Sequence, residues 1–359
     1  VVDLDAVAAN TELMVERAGP ARLCAVVKAD GYGHGAVPVA RTALTHGADW
    51  LAVALVEEAA VLRGAGVEAP ILLLSEPAPG SMPEVVGLDL RPTVYTEAGL
   101  EELAAAKGRA VHLKVDTGMN RVGVQPDDAV PLARRVVEAG LELEGVWTHL
   151  AVADDPEDPF TDRQVGRFGS VIADLRAAGI QPGMTHVANS AATLAHPAAR
   201  ADMVRVGIAL YGVAPSPRLD AAASLRAAMT LSSEVSFVKR VAAGERISYG
   251  LTHRFARDAT VATIPIGYAD GVPRRLAATG GEVLVGGSRR RIVGVVTMDQ
   301  LMVDCGDDPV ARGDEAVLLG PQGEERVTAG EWAERLGTIG YEIVCGIGPR
   351  VPRVHIGGP

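Results

Sequence analysis

The sequence predicts an α/β fold, an N-terminal TIM (β/α)8 barrel followed by a C-terminal mostly-β domain, and three observations carry that expectation. Eight short β-rich runs alternate with Ala-rich segments of helical period over roughly the first 210 residues. After Pro215 the texture changes to strand, turn, strand. The 359 residues also exceed what a single small core usually serves. The expected domains are 1–224, the barrel, and 225–359, the mostly-β part.

The eight strands read as 23–27, 50–55, 71–74, 91–95, 111–115, 143–149, 184–188 and 203–206. Between them, segments such as AVPVARTALTHG, DDAVPLARRVVEAG and RQVGRFGSVIADLRAAG carry apolar residues at three- and four-residue spacing. Several end at Gly, a favoured residue just past a helix. A doubly wound dinucleotide-binding sheet would want GxGxxG after its first strand, and the chain has KADGYGHG there. From about Met229 the strings TLSSEVSFVKRV, ERISYG, ATVATIPIGYADG, EVLVGG, RRIVGVVTM, LMVDCG and EAVLLG read as strands separated by turns. One helix, EWAERLG, interrupts them, introduced by Thr328 with Glu331 at capping-box spacing.

Composition narrows the function classes. Apolar residues make up 48% and charged residues 22%, which excludes a disordered or collagen-like chain. A formal net charge of -11 leaves no basic footprint for a phosphate backbone, so no nucleic-acid partner is expected. No apolar stretch approaches the ~18 to 20 residues of a membrane span, and the opening VVDLDAVAAN has acids where a signal peptide has bases. The expectation is a cytoplasmic protein without a membrane partner. Cys24, Cys305 and Cys345 form no CxxC pair and read as free thiols, and the eight histidines contain no HExxH, so no metal site is expected.

Lys28 follows the apolar strand AVV and begins the turn ADGYGHG. The C-terminal ends of barrel strands carry active sites, and a lysine there suits Schiff-base chemistry, although a lone rim lysine also snorkels into solvent. If Lys28 binds pyridoxal phosphate, the loops after strands seven and eight are where the phosphate belongs. Strand seven leads into Asn189-Ser190, which opens a helix, and strand eight leads into Gly207-Ile208, where Gly admits a close backbone approach. Arg205, two residues before Gly207 on the same strand, shares its side. It is read as the partner of the pyridine nitrogen or as half of a structural ion pair with a carboxylate.

The strings AVVKADGYGHG, LKVDTGMNRVG, THLA, ANSAA, MVRVGIALYG, ISYG, TIPIGYADG and VVTMDQLMV occur in the order and spacing of the alanine racemases. The chain resembles this family of bacterial pyridoxal-phosphate enzymes over almost its whole length. The resemblance implies a barrel and a β domain assembled as a head-to-tail homodimer with shared active sites. It implies that Lys28 holds pyridoxal 5'-phosphate and is one acid/base, with Tyr249 of the second subunit as the other, interconverting L- and D-alanine for peptidoglycan. Tyr32, Asn189, Ser190, Gly207, Ile208 and Tyr341 are implied cofactor contacts, Arg205 faces the pyridine nitrogen, and His149 links Tyr249 to Arg205. Arg121 and the backbone at Met298 orient the substrate. Asp154, Tyr268, Arg274 and Asp299 resemble gate residues of a substrate corridor, and Lys114 matches a lysine that is often carbamylated.

Taken alone, Tyr249 also fits an interface tyrosine, His149 a satisfied core histidine, and Lys114 a lysine paired with Asp116. Asn120, where some relatives have Gly or His, and Val295, where some have a corridor arginine, depart from the family pattern. Competing functions are a racemase of serine or another amino acid, a pyridoxal-phosphate decarboxylase, which Arg205 in place of a carboxylate disfavours, and a non-catalytic pyridoxal-phosphate binder. Such single-domain barrels lack a β domain, so the segment 229–356 containing Tyr249 argues against the last.

Overall fold

The computed structural model describes residues 1–358, with side chains described outside 221–223. Pro359, the last residue of the expected second domain, lies outside the described residues. The described residues divide into two compact units, one of residues 5–226 with 358 and one of residues 1–4 with 227–357.

After a two-residue strand β1 (Val2–Asp3), the larger unit carries eight parallel strands. They are β2 (Arg22–Val26), β3 (Trp50–Val53), β4 (Ile71–Leu73), β5 (Thr93–Val94), β6 (Ala110–Lys114), β7 (Glu142–Trp147), β8 (Met184–His186) and β9 (Met203–Val206). Their order is β4-β3-β2-β9-β8-β7-β6-β5, and a parallel bridge between Leu72 and Arg91 closes the sheet on itself. All eight expected strands are present, and the barrel is as the alternation predicted.

Two strands, β3 and β5, stop short of their expected ends where side chains take over the ladder's hydrogen bonds. Ala54 and Leu55 N–H donate to Glu58 Oε2 at 2.8 and 3.1 Å, and Tyr95 N–H donates to Glu76 Oε2 at 2.8 Å. These carboxylates turn the chain out of the barrel into its C-terminal loops. The helices bury one stripe each. In Ala129–Glu138 the buried residues are Ala129, Leu132, Ala133 and Val136, the spacing of one helix face.

The second unit holds β1 and the remaining strands: β10 (Leu231–Glu234), β11 (Phe237–Val241), β12 (Arg246–Ile247), β13 (His253–Arg254), β14 (Ala259–Ile264), β15 (Glu282–Val285), β16 (Ser288–Val293), β17 (Leu301–Gly306), β18 (Glu315–Gln322), β19 (Glu325–Val327) and β20 (His355–Ile356). Its main sheet runs β10-β18-β15-β16-β17-β14-β11, antiparallel throughout, with β19 beside β18. Ile247, Phe255, Ala259, Val261 and Val293 pack into a core beneath it.

Two sequence expectations change here. The helix Ala329–Leu336 starts at Thr328, whose hydroxyl accepts from Glu331 N–H at 3.0 Å, but the reciprocal half of a capping box is not made. The Glu331 carboxylate is drawn away by Arg289, which donates to it at 2.8 Å, and by Arg335 at 3.3 Å. A second helix, Gly340–Cys345, follows the first, where the sequence predicts only one. It is six residues long and includes Ile343 and Val344, so propensity alone does not announce it.

Candidate active site

The barrel's C-terminal mouth begins with β2. Lys28 directly follows the buried Val27, and the next residues take an unusual course: Ala29, Asp30, Gly31 and Tyr32 have φ of 52, 50, 60 and 51°, a left-handed turn in which only one residue is glycine. Left-handed backbone costs an L-residue roughly 1–2 kcal/mol, so the surroundings must hold it. Ala29 N–H donates to Glu58 Oε1 at 2.6 Å, Ala36 N–H donates to Asp30 Oδ1 at 2.8 Å, and Gly31 and Gly33 N–H bond to the carbonyls of Val27 and Ala29. The turn delivers the Tyr32 hydroxyl to Gly207, where an added Cβ would lie 2.5 Å from it. The glycine at 207 is therefore a requirement of Tyr32.

Gly207 N–H donates to Ser190 Oγ at 2.9 Å, joining the loops after β8 and β9 into one lining. Asn189 caps the short helix Ser190–Ala195, its Oδ1 accepting from Ala192 N–H at 2.9 Å. Tyr32, Ser190, Gly207 and Ile208 are all buried.

Arg205 occupies the barrel interior and is 3% exposed. Its register partner across β2 is Cys24, four residues before Lys28. Nη1 donates to His186 Nδ1 at 2.9 Å, and Nη2 lies 2.8 Å from Thr148 O, 3.0 Å from Val187 O and 3.3 Å from His149 Nδ1. Among the described residues none of these partners is a carboxylate, which corrects the ion-pair alternative: in β9 the neighbouring strands offer carbonyls and imidazoles instead. Nε–H takes no part in these bonds. Burial lowers the guanidinium to about 10. Because Arg205 only donates, His149 Nδ1 must accept and Nε2 carries that ring's proton. Burial first, then Arg205, Lys114, Arg121 and Lys28, hold His149 well below its ordinary value, so it is neutral near pH 7.

Lys114, at the end of β6, is 4% exposed, with Nζ 4.3 Å from the centre of the Trp147 ring and 3.5 Å from Leu74 O. Arg205 stands over the same ring at 4.5 Å. Burial and then Arg205, Arg121 and Lys28 bring the ammonium down to about 7, against the opposing pull of Asp116. Arg121 itself is exposed, in the loop after β6. Beside it Asn120 has φ 55° and donates its N–H to Asp116 Oδ1 at 3.0 Å. Asn tolerates this left-handed position well, which accounts for that departure from the family pattern. Asp154 is exposed, its carbonyl accepting from Ser216.

In the second unit the expected residues gather on neighbouring loops. Tyr249 opens a short turn after β12 and is 76% exposed. Ser248, with φ 67°, precedes it and donates to Val295 O at 3.4 Å. Tyr268 N–H donates to Thr297 O at 2.9 Å and Ala269 N–H to Met298 O at 3.1 Å, so the loops bearing Tyr268 and Met298 run side by side. Gly267 makes this approach possible, since a Cβ there would stand 2.2 Å from Thr297 O. Asp299 pairs with Arg350 at 2.9 Å, and Arg350 also reaches Asp270 at 3.2 Å. Arg274 starts the turn Arg274–Leu276, and Tyr341 lies on the second helix, whose end packs against the 267–271 loop at Gly271.

Residues 2–215 match the family described as alanine racemase, N-terminal domain, and residues 228–355 match alanine racemase, C-terminal domain. An alanine racemase of Symbiobacterium thermophilum is 49% identical, over 99% of this chain and 96% of its own. The chain belongs to the alanine racemase family. It is an isomerase, an alanine racemase by descent, and one from Thermobifida fusca is 47% identical over 99% of this chain and 97% of its own. Among solved structures, the alanine racemase from the D-cycloserine producer Streptomyces lavendulae aligns with a TM-score of 0.95 at 43% identity, covering 100% of this chain and 96% of that one. The Bacillus anthracis enzyme with bound L-Ala-P aligns with a TM-score of 0.91 at 40% identity, covering 99% and 94%. No helix of this racemase among the described residues is long and apolar enough to cross a membrane, and none of its three cysteines forms a disulfide.

Sequence reasoning missed His112, Glu144, Trp147 and His186, which line the barrel beneath Arg205. Their signal is polar residues at alternate positions of strands buried on both faces, as His112 and Lys114 are between Val111, Leu113 and Val115.

Proposed function

We propose that this racemase interconverts L- and D-alanine with pyridoxal 5'-phosphate, using Lys28 and Tyr249 as acid/bases on opposite faces of the substrate, in a cytoplasmic homodimer whose sites are shared between subunits. The observation that carries the reading is the convergence at one barrel mouth of Lys28, the Ser190–Gly207 hydrogen bond with the Tyr32 hydroxyl against it, and Arg205 on the strand next to that of Lys28. A phosphate suits a lining of hydroxyls and glycine backbone, and a ring nitrogen suits a buried cation with a donor left over, so the residues fit the cofactor.

Pyridoxal phosphate supplies the electron sink that makes the Cα proton of an amino acid removable. Lys28 takes or returns that proton on one face, and Tyr249 of the other subunit does so on the opposite face. One base per face inverts the centre; a single base would return the proton to the side it came from. Arg205 donates a hydrogen bond without yielding its proton, which leaves the ring nitrogen largely unprotonated and favours return of the proton over side reactions. His149, proton on Nε2 and acceptor to Arg205 through Nδ1, is arranged to connect Arg205 to the Tyr249 hydroxyl. Arg121 and the Met298 backbone hold the substrate, and Asp154, Tyr268, Arg274 and Asp299 border its access, with Tyr341 adding a phosphate contact. The product serves peptidoglycan synthesis.

The test combines borohydride reduction with peptide mapping and a circular-dichroism assay on each enantiomer of alanine. The reading expects the pyridoxyl mass on Lys28 and loss of optical activity from both enantiomers. The mass on Lys107, Lys114 or Lys239 would remove Lys28 from its role.

A further inference from the structure

Beneath Arg205 the barrel interior holds a buried file of polar side chains that the proposed mechanism does not use. Arg205 Nη1 meets His186 Nδ1 at 2.9 Å, His186 Nε2 meets His112 Nδ1 at 2.9 Å, and His112 Nε2 meets Glu144 Oε2 at 3.2 Å. Glu144 lies near the start of β7, toward the opposite end of the barrel, and is held by Arg91 Nε at 3.1 Å. His112 and His186 are both 0% exposed. Their rings are fixed from the side as well. Trp147 stacks on His186 with the ring planes 11° apart, and Trp50 meets His112 edge-on with centroids 5.5 Å apart. Gly145, paired with His112 across β6 and β7, leaves the room: a Cβ at Gly145 would lie 2.3 Å from His112 Nδ1.

The chemistry of the two ends gives this file a direction. A guanidinium only donates, so His186 Nδ1 accepts and its proton sits on Nε2. That proton points at His112 Nδ1, which accepts in turn, so the His112 proton sits on Nε2 and points at the Glu144 carboxylate, which only accepts. Every contact then has one donor and one acceptor. Turning either imidazole to its other tautomer sets two N–H groups against each other at Arg205, or two lone pairs at Glu144. Both imidazoles are neutral in this arrangement, in keeping with the lowering of His186 by burial, Arg205 and His112, and of His112 chiefly by burial.

We propose that Glu144 and His112 are positioning residues that fix the tautomer of His186 and, through it, the guanidinium of Arg205. The inference rests on the reading of Arg205 as the partner of the cofactor's ring nitrogen. Four donor contacts hold Arg205: two go to the carbonyls of Thr148 and Val187, which can only accept, and two go to imidazole nitrogens, Nδ1 of His149 and Nδ1 of His186, whose part depends on the tautomer. The contact to His186 is the one whose sign is set at a distance, by the carboxylate at the far end of the file. Without that carboxylate His112 is free to turn its proton to Nδ1, where it meets His186 Nε2–H donor to donor, and Arg205 is left to hold the His186 tautomer from one end alone.

Holoenzyme labelled with 15N-histidine, studied by solid-state 15N NMR, reads both tautomers directly; the two rings are assigned by their proximity to Trp147 and Trp50. The wild-type protein is expected to show His112 and His186 neutral with the proton on Nε2. In Glu144→Leu the His112 signal changes and the His186 signal changes with it, kcat for alanine falls about 10-fold, the size of loss typical when a partner that orients a site residue is removed, and KM moves little. Glu144→Gln, whose carbonyl still accepts, restores the wild-type tautomers and most of kcat. A proton on Nδ1 of either ring in the wild type overturns the proposal without any variant, and so does a folded Glu144→Leu protein with unchanged His186 signal or unchanged kcat. The tautomers do not depend on what Arg205 faces, whereas the absorbance of an Arg205→Glu enzyme does, so the failure of the cofactor reading is seen separately.

Discussion

Lys114 holds its ammonium nitrogen 4.3 Å from the centre of the Trp147 ring, in the barrel interior, with no carboxylate in hydrogen-bond contact among the described residues. Burial and the cations Arg205, Arg121 and Lys28 lower it to about 7. The unfolded chain keeps a lysine protonated to roughly pH 10.4. Between about pH 7 and that value the unfolded state therefore binds more protons than the folded state, and this group adds stability as pH rises through the window. Below about pH 7 both states are protonated and the cost of burying the charge is fully present. Lys114→Met should flatten that part of the stability profile, as read by denaturant unfolding between pH 6 and pH 9 at matched ionic strength. A slope unchanged by the substitution would contradict the lowered value.

A lysine that is largely neutral at pH 7.5 is also a nucleophile for carbon dioxide. Carbamylation joins Nζ to the carbon and releases a proton, and the new anion would stand among three cations. We expect 13C-labelled bicarbonate to give a carbamate signal in this protein that disappears in Lys114→Met and on acidification. In Lys114→Ala, added acetate should restore part of the lost activity by occupying the same position, and failure of both measurements would leave Lys114 as an unmodified amine.

Gly207 and Tyr32 test the phosphate lining. Gly207→Ala puts a methyl group 2.5 Å from the Tyr32 hydroxyl, and Tyr32 is buried on a turn held by hydrogen bonds among Val27, Ala29, Asp30, Gly31, Gly33, Gly35, Ala36 and Glu58. The ring must move or the loop after β9 must shift. Cofactor affinity, followed by absorbance titration of the apoprotein, should fall about 10-fold or more, on the order of 1.4 kcal/mol. A matching Tyr32→Phe substitution should recover part of the loss by removing the atom in collision. Equal affinity in wild type and Gly207→Ala would remove this contact from the cofactor site.

The barrel was legible in the sequence because each strand is an apolar run followed by a helix whose buried stripe keeps the 3.6 period, as in Leu132, Ala133 and Val136. Lys28, Ser190 and Gly207 were legible because barrel geometry says where strand ends lead. The strand ends themselves were not, since Glu58 and Glu76 reach back from outside the ladder to take Ala54, Leu55 and Tyr95 N–H, a choice made by tertiary position. The left-handed turn at 29–32 was hidden by its composition, because Ala29, Asp30 and Tyr32 do not signal positive φ. The His186–His112–Glu144 file was invisible because its members lie 74 and 32 residues apart and only the closed barrel brings them together.

Arg205→Glu should raise the proton affinity of the cofactor's ring nitrogen, since a carboxylate stabilises a pyridinium where guanidinium does not. Racemisation should fall and a new long-wavelength absorbance should develop with alanine. The same change removes the largest neighbouring positive charge from His186 and His149, so both imidazoles should titrate closer to the ordinary range. Full activity with an unchanged spectrum would show that Arg205 does not face the ring.

The last prediction concerns assembly. Lys28 belongs to the barrel unit and Tyr249, largely exposed, to the β unit, and the proposed function puts them in one site only across a dimer. Lys28→Ala and Tyr249→Ala proteins should each be nearly inactive, and their subunits are then allowed to exchange. In an isologous two-fold dimer each site takes its lysine from one subunit and its tyrosine from the other. A heterodimer of the two variants therefore has one site lacking both groups and one with both intact, and activity should return to about half the wild-type level per heterodimer. If each chain built its site from its own two units, every site would lack one base and exchange would restore nothing. Mass spectrometry of the intact dimers measures the heterodimer fraction, so inactivity in a verified heterodimer counts directly against the shared site.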